Sequence, residues 1–290
     1  MVKKIQKNQI KLLIPSRNSF QNKGDFGHVL AIGGSYGMAG AVCMTAQSAL
    51  KTGAGLVTAA VPSCIASVAA VKLTECMVLP AQDETGVFSI ASAQEIVNFS
   101  RKCNAVAFGM GARKTSGTTR ILEDLLVSYE GTLVVDADGL NVLSENMSLL
   151  DNKRKCNLIL TPHPGEMSRL QNCSVQEVQA DRVQIAREFA KKYNLVLTLK
   201  GENTVITDGE EVYINPTGNV GMATGGSGDV LSGIIASFAA QGLNTLNAAV
   251  CGCFMHGLSG DIAVKDKTEY CLTACDLIEY LPKTFKEILA

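Results

Sequence analysis

The sequence predicts an α/β fold with a mostly parallel central sheet and helices on both of its faces. Two observations carry this prediction: short apolar, β-branched segments alternate with longer helical patterns, and 47% of the 290 residues are hydrophobic, with 27 glycines. Strands of a parallel sheet are covered on both faces, so their segments are apolar throughout. No linker, repeat or low-complexity segment interrupts the pattern, and we therefore expect one domain over residues 1–290.

Strands and helices alternate regularly through the first two thirds of the chain. Buried strands are predicted at residues 28–33, 55–61, 104–109, 132–136, 157–161 and 195–199. Helices are predicted between them at about 40–52, 63–72, 91–101, 117–129 and 174–192. Right-handed crossovers would place the carboxyl ends of these strands at one rim of the sheet, where ligands bind in such folds.

The last third of the chain has a different pattern. Residues 204–215 predict a late β-hairpin that turns at Asp208-Gly209. Two or three helices are expected to follow this hairpin and to close the chain.

Charge and composition argue against several classes of function. The net charge is −1 without a basic block, so we expect no binding to nucleic acid or to an anionic membrane. No stretch approaches about 18 uninterrupted apolar residues, and the first residues lack the apolar core of a signal peptide. The ten cysteines include no Cys-x-x-Cys pair. We therefore expect reduced cysteines and a cytoplasmic protein.

The segment Gly225-Gly-Ser-Gly-Asp229 precedes an apolar run and predicts an anion pocket. Its three glycines allow backbone conformations that side chains forbid, so successive N–H groups can point into one cavity. A helix that begins near Ser227 would add its unpaired N–H groups and the positive end of its dipole. Asp229 places a carboxylate beside the expected anion, which indicates the handling of a proton or a metal. The alternative is a first-turn acid that only stabilises the helix.

The segment Thr161-Pro-His163-Pro-Gly-Glu166 holds a histidine between two prolines after a predicted strand. The prolines fix the backbone around His163, which indicates a rigid display of the imidazole. Alternatively, Pro164 starts the next helix and Glu166 is its first-turn acid, and both interpretations can hold at once.

Other polar residues also follow predicted strands. Lys200 ends one strand, where its ammonium can face a phosphate or solvent. Asp136 and Asp138 end another and can hold Mg²⁺ or cap the next helix. The turn over residues 33–40 is glycine-rich but fits no dinucleotide or P-loop pattern. His256 lies in an apolar helical run, and we interpret it as a core histidine.

Taken in order, these segments resemble those of the ADP-dependent NAD(P)H-hydrate dehydratase family, within the ribokinase-like superfold. The resemblance spans nearly the whole chain and is carried by Gly27-His-Val-Leu-Ala-Ile-Gly-Gly-Ser35, Gly37-Met-Ala-Gly-Ala41, Val135-Asp-Ala-Asp-Gly-Leu-Asn141, Thr161-Pro-His-Pro-Gly-Glu166, Lys200-Gly-Glu-Asn-Thr204 and Gly218-Asn-Val-Gly-Met-Ala-Thr-Gly-Gly-Ser-Gly-Asp-Val-Leu-Ser-Gly233. It implies a ribokinase-like fold and a repair reaction. Hydrated NADH or NADPH would be dehydrated with ADP as co-substrate, by phosphorylation of the ring hydroxyl and elimination, giving AMP and phosphate.

The resemblance also implies roles for single residues. The contacts to the hydrated dinucleotide would be Ala41, Gly111, His163 and Asp229, with Asp229 as the catalytic base. The contacts to ADP would be Lys200, Gly201, Glu202, Asn203, Thr204 and Gly228. The anion hole would be formed by Gly225, Gly226, Ser227 and Gly228. Mg²⁺ is expected with the nucleotide, and its ligands stay open, with Glu166 and Asp136 as candidates.

The family further implies a homotetramer and a functional link to an NAD(P)H-hydrate epimerase. In some relatives the epimerase domain is fused to the dehydratase, and we expect no counterpart of it in this sequence.

The chain departs from the family pattern at Gly109-Met-Gly111-Ala-Arg113, where relatives usually have Gly-Pro-Gly-Leu-Gly. Arg113 thereby adds a charge that can touch a phosphate. Val220 replaces a common proline, and Ser227 replaces a more frequent threonine while keeping the hydroxyl.

Two competing functions stay open at this point. A small-molecule kinase of the same superfold, acting on a vitamin-precursor alcohol, would share the Gly-x-Gly-Asp loop. The segments around His163 and over Lys200–Thr204 favour the dehydratases over such a kinase. A nucleotide-sensing protein without turnover is the other alternative, against which the carboxylate of Asp229 argues, because a pure binder gains nothing from a negative charge beside phosphate.

Overall fold

The structure is a computed structural model that describes residues 2–151 and 154–290. Its strands are β1 (Val2–Lys4), β2 (His28–Ile32), β3 (Leu56–Pro62), β4 (Met77–Ala81), β5 (Asp83–Glu84), β6 (Val87–Phe88), β7 (Ala105–Phe108), β8 (Thr132–Val135), β9 (Asn157–Leu160), β10 (Val196–Leu199), β11 (Val205–Thr207) and β12 (Val212–Ile214). Ten of them form one sheet in the order β1-β12-β11-β10-β9-β8-β7-β2-β3-β4. Its neighbouring pairs are parallel except β10–β11 and β11–β12. The predicted parallel sheet with a late hairpin is confirmed.

Helices cover both faces of this sheet. They are α1 (Lys7–Leu13), α2 (Ala39–Lys51), α3 (Ala66–Lys72), α4 (Ser92–Ser100), α5 (Ser116–Ser128), α6 (Asp138–Glu145), α7 (Ser148–Asp151), α8 (Pro164–Gln171), α9 (Val175–Ala180), α10 (Arg182–Tyr193), α11 (Ser227–Ala240), α12 (Thr245–Lys267) and α13 (Ala274–Leu289). Within the described ranges, no helix is both long enough and apolar enough to cross a membrane.

Strand residues divide alternately between two hydrophobic cores, as the twofold period of a strand requires. In β2, Val29 and Ala31 pack into the core formed with α2, α11, α12 and α13. Leu30 and Ile32 point to the other face and pack with α4, α5, α6, α8 and α10. The strands are therefore buried on both sides, which is why they are mostly apolar, with buried threonines such as Thr58 and Thr198 as the exceptions.

The six predicted strands are confirmed within two residues at each end. The edge strands β1 and β4 were not predicted from the pattern. Most of their residues are exposed or half-buried, so no continuous apolar run marks them. The hairpin turn at Asp208-Gly209 is confirmed, with Gly209 at a φ of 96°.

The single helix predicted over residues 174–192 is wrong, because the structure has the two helices α9 and α10 there. The chain breaks at Asp181, which has φ −146° and ψ 70°. Its side chain accepts a hydrogen bond from the backbone N–H of Gln184 at 3.1 Å and so caps α10. Aspartate competes well for such a cap, which outweighs the continuous helical pattern of the sequence.

The carboxyl ends of five adjacent parallel strands meet at one rim, as expected from the alternating pattern. Strands β10, β9, β8, β7 and β2 are neighbours in this order. They are followed by Lys200, Thr161–Glu166, Asp136, Gly109–Gly111 and Gly33–Gly40 respectively. Helix α11 contacts β8, β7 and β2, and its first residues reach the same rim.

Candidate active site

The glycine-rich loop before α11 forms an open helix N-terminus. Gly226 is the N-cap residue, with a φ of 92° that side chains rarely adopt, and no side chain caps the helix. A Cβ on Gly225 would meet no atom within 4 Å, so the space beside the loop is open. The N–H of Ser227 donates to the carbonyl oxygen of Thr224 at 3.4 Å, whereas those of Gly228 and Asp229 have no backbone acceptor among the described residues and are available to a ligand.

Lys200 lies directly below this loop, clamped between two buried carboxylates. Its Nζ is 2.6 Å from Asp136 Oδ1 and 3.7 Å from Glu166 Oε2. A Cβ on Gly228 would lie 3.3 Å from Lys200 Nζ and 3.4 Å from Asp136 Oδ2. A side chain at position 228 would therefore crowd the ammonium group and the Asp136 carboxylate, and the glycine lets the loop approach them without displacement. The alternative of a solvated strand-end lysine does not hold, because its side chain is only 19% exposed.

The charges of this clamp stabilise each other against burial. Burial alone would lower the pKa of Lys200, but the neighbouring Asp136 and Glu166 carboxylates outweigh it and the pKa is raised. Burial raises the pKa of Glu166, and the Lys200 ammonium partly opposes this change. Lys200 is therefore held charged and in a fixed position facing the loop.

Asp229 is the carboxyl group of the site that stays without a partner. It is half-buried in the first turn of α11, and among the described residues no hydrogen-bond donor contacts its carboxylate. Burial raises its pKa to about 7, the charge of Asp136 adds to the increase, and Lys200 opposes it. Asp138 and Glu166 also raise it. A carboxyl group that titrates near neutral pH can accept a proton from a bound ligand.

His163 is both displayed at the rim and used as a helix cap. Its Nδ1 accepts hydrogen bonds from the backbone N–H groups of Gly165 at 3.0 Å and Glu166 at 3.2 Å. Glu166 Oε2 accepts in return from the backbone N–H of His163 at 2.8 Å, which completes a capping box. Pro164 is the first residue of α8, so both interpretations of this segment hold together.

The cap also determines the protonation of His163. Because Nδ1 accepts two hydrogen bonds, these donors assign the neutral tautomer with the proton on Nε2. Burial lowers the pKa of His163, and the Lys200 charge adds to this decrease. The side chain is 52% exposed, and its Nε2 lies 3.5 Å from Glu166 Oε1, so the exposed part of the ring, held by Glu166, is what a ligand can contact.

Gly111 and Ala41 meet on the other side of the rim. Gly111 has a φ of 66°, and a Cβ placed on it would lie 3.0 Å from the Cβ of Ala41. Ser35 Oγ donates to the carbonyl oxygen of Gly111 at 2.9 Å. The Nε of Arg113 donates to the same hydroxyl at 3.3 Å, which places its exposed guanidinium at the rim. Of the four dinucleotide contacts expected from the resemblance, Gly111 and Ala41 thus lie together, while His163 follows β9 and Asp229 lies in the first turn of α11.

Comparison with known proteins identifies the family. A family profile described as NAD(P)H-hydrate dehydratase matches residues 29–283. The chain belongs to the NAD(P)H-hydrate dehydratase family. It is 36% identical over 250 residues to the ADP-dependent (S)-NAD(P)H-hydrate dehydratase of Neisseria meningitidis, covering 85% of this chain and 80% of that protein. It is 42% identical over 278 residues to the bifunctional NAD(P)H-hydrate repair enzyme of Moorella thermoacetica, covering 95% of this chain and 52% of that protein. The chain thus spans about half the length of the bifunctional relatives it matches.

Solved structures confirm the ribokinase-like fold. The chain matches the ADP/ATP-dependent NAD(P)H-hydrate dehydratase of Bacillus subtilis with a TM-score of 0.85 and 25% identity, over 99% of both chains. A ribokinase-like superfamily protein of Enterococcus faecalis gives the same TM-score and identity, over 99% of this chain and 96% of that chain. Hydroxyethylthiazole kinase of Pyrococcus horikoshii shares the fold at a TM-score of 0.59 and 14% identity.

The loop that the dehydratase resemblance assigns to ADP is exposed at its tip. Gly201, Glu202 and Asn203 are exposed, and Gly201 has a φ of 136°. Thr204 Oγ1 donates back to the carbonyl oxygen of Gly201 at 2.8 Å, which closes the turn. Lys200, at the start of this loop, brings the loop close to α11, because its Nζ lies beside Gly228.

Three residues that contact the site were not identified from the sequence. Ser232 Oγ donates to Asp136 Oδ2 at 2.8 Å. The sequence could have indicated this contact, because Ser232 is a polar residue on an apolar helix, one turn after Gly228. Arg182 donates to the carbonyl groups of the Lys200 loop. His256, interpreted as a core histidine, is half-buried and lies 3.3 Å from Ser227 Oγ through its Nε2. Burial lowers its pKa to about 4, so it is neutral.

The carboxylates proposed as magnesium ligands do not fit a metal held by the protein. Asp136 Oδ1 already accepts from Lys200 and from the backbone N–H of Ala137, and its Oδ2 accepts from Ser232. Glu166 Oε2 accepts from His163 and faces Lys200. Across residues 2–151 and 154–290, no three His, Cys, Asp or Glu side chains form a group that could hold a metal ion.

The helix-cap interpretation of Asp136 and Asp138 is wrong. The N-cap residue of α6 is Ala137, with no side-chain cap, and it adopts a φ of 50°. Asp138 Oδ2 instead accepts from the backbone N–H of Arg113 at 2.8 Å, joining the loops after β8 and β7. Both aspartates therefore connect different loops and elements at the rim and do not cap α6.

A cavity of about 670 Å³ lies at the opposite edge of the sheet. Its lining includes Asn157 at the start of β9 and Val196 at the start of β10. In open α/β sheets ligands bind at the carboxyl ends of the strands. We therefore assign the site to the rim at Lys200 and Asp229, where the perturbed groups converge, and not to the cavity at the opposite edge.

Proposed function

We propose that this chain dehydrates hydrated NADH or NADPH with ADP as phosphoryl donor and releases AMP, phosphate and the restored cofactor. The observation that carries the proposal is the carboxyl group of Asp229: burial raises its pKa to about 7, and no hydrogen-bond donor of residues 2–151 and 154–290 contacts it. It stands in the first turn of α11, beside an open N-terminus and above the Lys200 ammonium. A proton acceptor next to an anion pocket suits the transfer of phosphate to a hydroxyl group.

In the first step, the hydroxyl oxygen of the hydrated ring attacks the β-phosphorus of ADP. A phosphorus–oxygen bond forms to the ring hydroxyl, the bond from phosphorus to the bridging oxygen breaks, and AMP leaves with that electron pair. Asp229 takes the hydroxyl proton. The Lys200 ammonium and the first-turn N–H groups of α11 stabilise the charge on the transferred phosphoryl group.

In the second step, the ring carbon–oxygen bond breaks and phosphate leaves with the electron pair. The lone pair of the ring nitrogen assists, and the adjacent ring carbon loses a proton, so a ring double bond forms. The sum is loss of water from the hydrate, coupled to cleavage of ADP into AMP and phosphate. Phosphate is a much better leaving group than hydroxide, which is why a phosphoryl donor is needed.

The names of the relatives support the substrate and the nucleotide. The Neisseria relative is named an ADP-dependent dehydratase, and the Bacillus relative was co-crystallised with ATP and Mg²⁺. We propose that Mg²⁺ enters on the phosphates of the nucleotide and keeps water ligands, since Asp136 and Glu166 are engaged with Lys200. No step above depends on it. The bifunctional relatives favour a functional link to an epimerase, and we extend the proposal to a homotetramer in the cytoplasm.

The residue contacts proposed from the resemblance agree with the geometry of the rim. The hydrated dinucleotide would lie against Ala41, Gly111, His163 and Asp229. The ADP would lie against Lys200, Gly201, Glu202, Asn203, Thr204 and Gly228, with its β-phosphate in the anion hole of Gly225, Gly226, Ser227 and Gly228. This arrangement brings the ring hydroxyl, the β-phosphorus and the Asp229 carboxylate to one point.

The deciding experiment is a repair assay on chemically hydrated NADH, with ADP and ATP compared, in which the absorbance of restored NADH and the release of AMP are followed. We expect turnover with ADP, and Asp229→Asn should lower kcat by at least about 100-fold because the proton acceptor is lost. Asp124→Asn, on the outer helix α5, is the matched control and should keep normal turnover. Phosphorylation of a vitamin alcohol without NADH repair would favour a kinase, and ADP binding without AMP release would favour a sensor.

A further inference from the structure

Arg182, the first residue of α10, lies under the Lys200–Thr204 loop and binds its backbone. Its Nη2 donates to the carbonyl oxygens of Leu199 at 2.9 Å and Lys200 at 3.1 Å. Its Nη1 donates to the carbonyl oxygen of Glu202 at 2.5 Å. One planar guanidinium thus gathers three carbonyl groups from both sides of Gly201. A lysine cannot reproduce this fork, because its ammonium is a point donor.

The conformation of the loop is adapted to this guanidinium. Gly201 has a φ of 136°, and a Cβ placed there would lie 3.1 Å from Arg182 Nη2. Asn203 also adopts a left-handed φ, of 53°. Because three carbonyl groups turn inward to Arg182, their negative ends do not face a ligand at the exposed tip. The outer side of the loop is therefore less repulsive to an anion.

Arg182 forms no ion pair within the described ranges, where no carboxylate lies within 4 Å of its guanidinium nitrogens. Its Nε is buried and has no hydrogen-bond partner among the same residues. Burial lowers the pKa of Arg182, yet an arginine stays protonated at neutral pH. The charge of Glu202, on the same loop, raises the pKa of Arg182 and partly opposes the effect of burial. Because no carboxylate contacts the guanidinium directly, it leaves a positive potential at the loop above it.

We propose that Arg182 is a positioning residue for the nucleotide: it fixes the Lys200–Thr204 loop with its carbonyl groups turned inward and places its positive charge beneath the phosphates of ADP. The inference depends on the proposed use of ADP but concerns binding rather than chemistry. Arg182 need not touch the nucleotide, and the ring hydroxyl reacts elsewhere, above Lys200 and Asp229. The two ideas can therefore fail separately.

Arg187 provides a matched control on the same helix. Its Nε donates to the carbonyl oxygen of Gly209 at 3.0 Å, so it also fastens a backbone turn, but that turn belongs to the β11–β12 hairpin. Replacement of either arginine by methionine removes one charge from α10 together with its carbonyl contacts, three for Arg182 and one for Arg187. A general structural effect would affect both variants, whereas a role in nucleotide binding affects Arg182 alone.

The test is calorimetric titration of the full chain with ADP, together with steady-state kinetics. We expect Arg182→Met to raise the Kd and the KM for ADP by about 10- to 100-fold and Arg182→Lys to raise them less, because the charge is kept. The kcat and the KM for hydrated NADH should change less than about threefold, and Arg187→Met should bind ADP like the wild type. The ADP affinity of Arg182→Met should also depend less on salt.

Each other outcome has a distinct meaning. Wild-type affinity for ADP in Arg182→Met, or a loss of kcat with an unchanged KM for ADP, would overturn the inference. If Arg182→Met is too unstable to titrate, Arg182→Lys carries the test, and equal Kd values for it and the wild type would overturn the inference as well. If the wild type itself does not bind ADP, the proposed function fails first, and that failure is visible before any variant is made.

Discussion

At the scale of single residues, Asp229 combines a cost in stability with a use in catalysis. Four charged groups face its carboxylate: Asp136, Asp138 and Glu166 raise its pKa, and Lys200 lowers it, while burial is the largest cause of the increase to about 7. An exposed aspartate titrates near pH 4. In the folded protein at pH 8, Asp229 is therefore ionised in surroundings that favour its neutral form, and the folded state is destabilised.

This cost gives a stability prediction with a definite sign. The folded pKa of Asp229 is raised, so its stabilising protonation is complete below about pH 4 and is lost as the pH rises through about 7. Asp229→Asn removes the ionisation, and its free energy of unfolding should exceed that of the wild type by about 2–4 kcal/mol at pH 8. The advantage should shrink as the pH is lowered from 7 towards 5.

Urea unfolding of both proteins at pH 5 and pH 8 measures this difference, with Asp124→Asn, at a half-buried aspartate outside the site, as the control. The control should show no gain that grows with pH. A wild type as stable as Asp229→Asn at pH 8 would mean that Asp229 ionises without strain, and the case for it as the proton acceptor would weaken. A more stable but inactive Asp229→Asn variant is the combination that the proposed mechanism requires.

Residue types and their order along the chain indicated most of the site, but not its ion pairs. His163 was identified because two prolines flank it, and the cap it forms follows from local spacing alone. The clamp of Lys200 by Asp136 and Glu166 joins residues far apart in sequence. Such contacts depend on which strands are neighbours, and no local pattern contains that information.

At the scale of elements, two adjacent glycines in the loop before α11, Gly225 and Gly226, have different roles. Gly226 has a φ of 92°, and a Cβ there would lie 2.5 Å from Met44 Cε and 3.0 Å from Ala274 Cβ. Gly225 has no positive φ, and a Cβ there would meet nothing within 4 Å. The first glycine therefore leaves space for a ligand, while the second is required by the backbone.

Alanine at each position should therefore give opposite results. Gly226→Ala should lower the free energy of unfolding by about 1–3 kcal/mol, because it combines left-handed strain with crowding. Gly225→Ala should leave stability within about 0.5 kcal/mol of the wild type but raise the KM for ADP, since the methyl group enters the space assigned to phosphate. Urea unfolding and ADP kinetics on both variants test this. An active Gly225→Ala with normal KM would remove Gly225 from the anion hole.

The errors of the sequence predictions have two different physical causes. The buried strands were predicted because burial on both faces favours apolar residues along their whole length. The edge strands β1 and β4 are only partly covered, so this requirement is relaxed. The break between α9 and α10 arises from one capping side chain, Asp181, which competes with an otherwise helical pattern.

At the scale of the whole molecule, strand order is what turns separate motifs into a site. The alternating pattern predicted a common rim, but not that β8, β9 and β10 would be consecutive in the sheet. Their adjacency brings Asp136, Glu166 and Lys200 together. Helix α11 then crosses the sheet so that Gly228 reaches the same ion pair. The site therefore joins parts of the chain that are remote in sequence, and a ligand there should stabilise the fold as a whole.

That linkage gives a prediction for ADP. At about 100 times its Kd, a ligand that binds only the folded state adds roughly 2.7 kcal/mol, which for a chain of this length raises Tm by roughly 4 °C. We expect ADP to produce such a shift in Tm. Adenosine should produce a smaller shift, because it has no phosphate to bind the loop before α11.

Hydrogen exchange should show simultaneous protection of residues 200–204 and 225–229 on addition of ADP, because the nucleotide would bridge them. Protection of residues 154–158 and 192–196 instead would place ADP in the cavity at the opposite edge and contradict the proposed site.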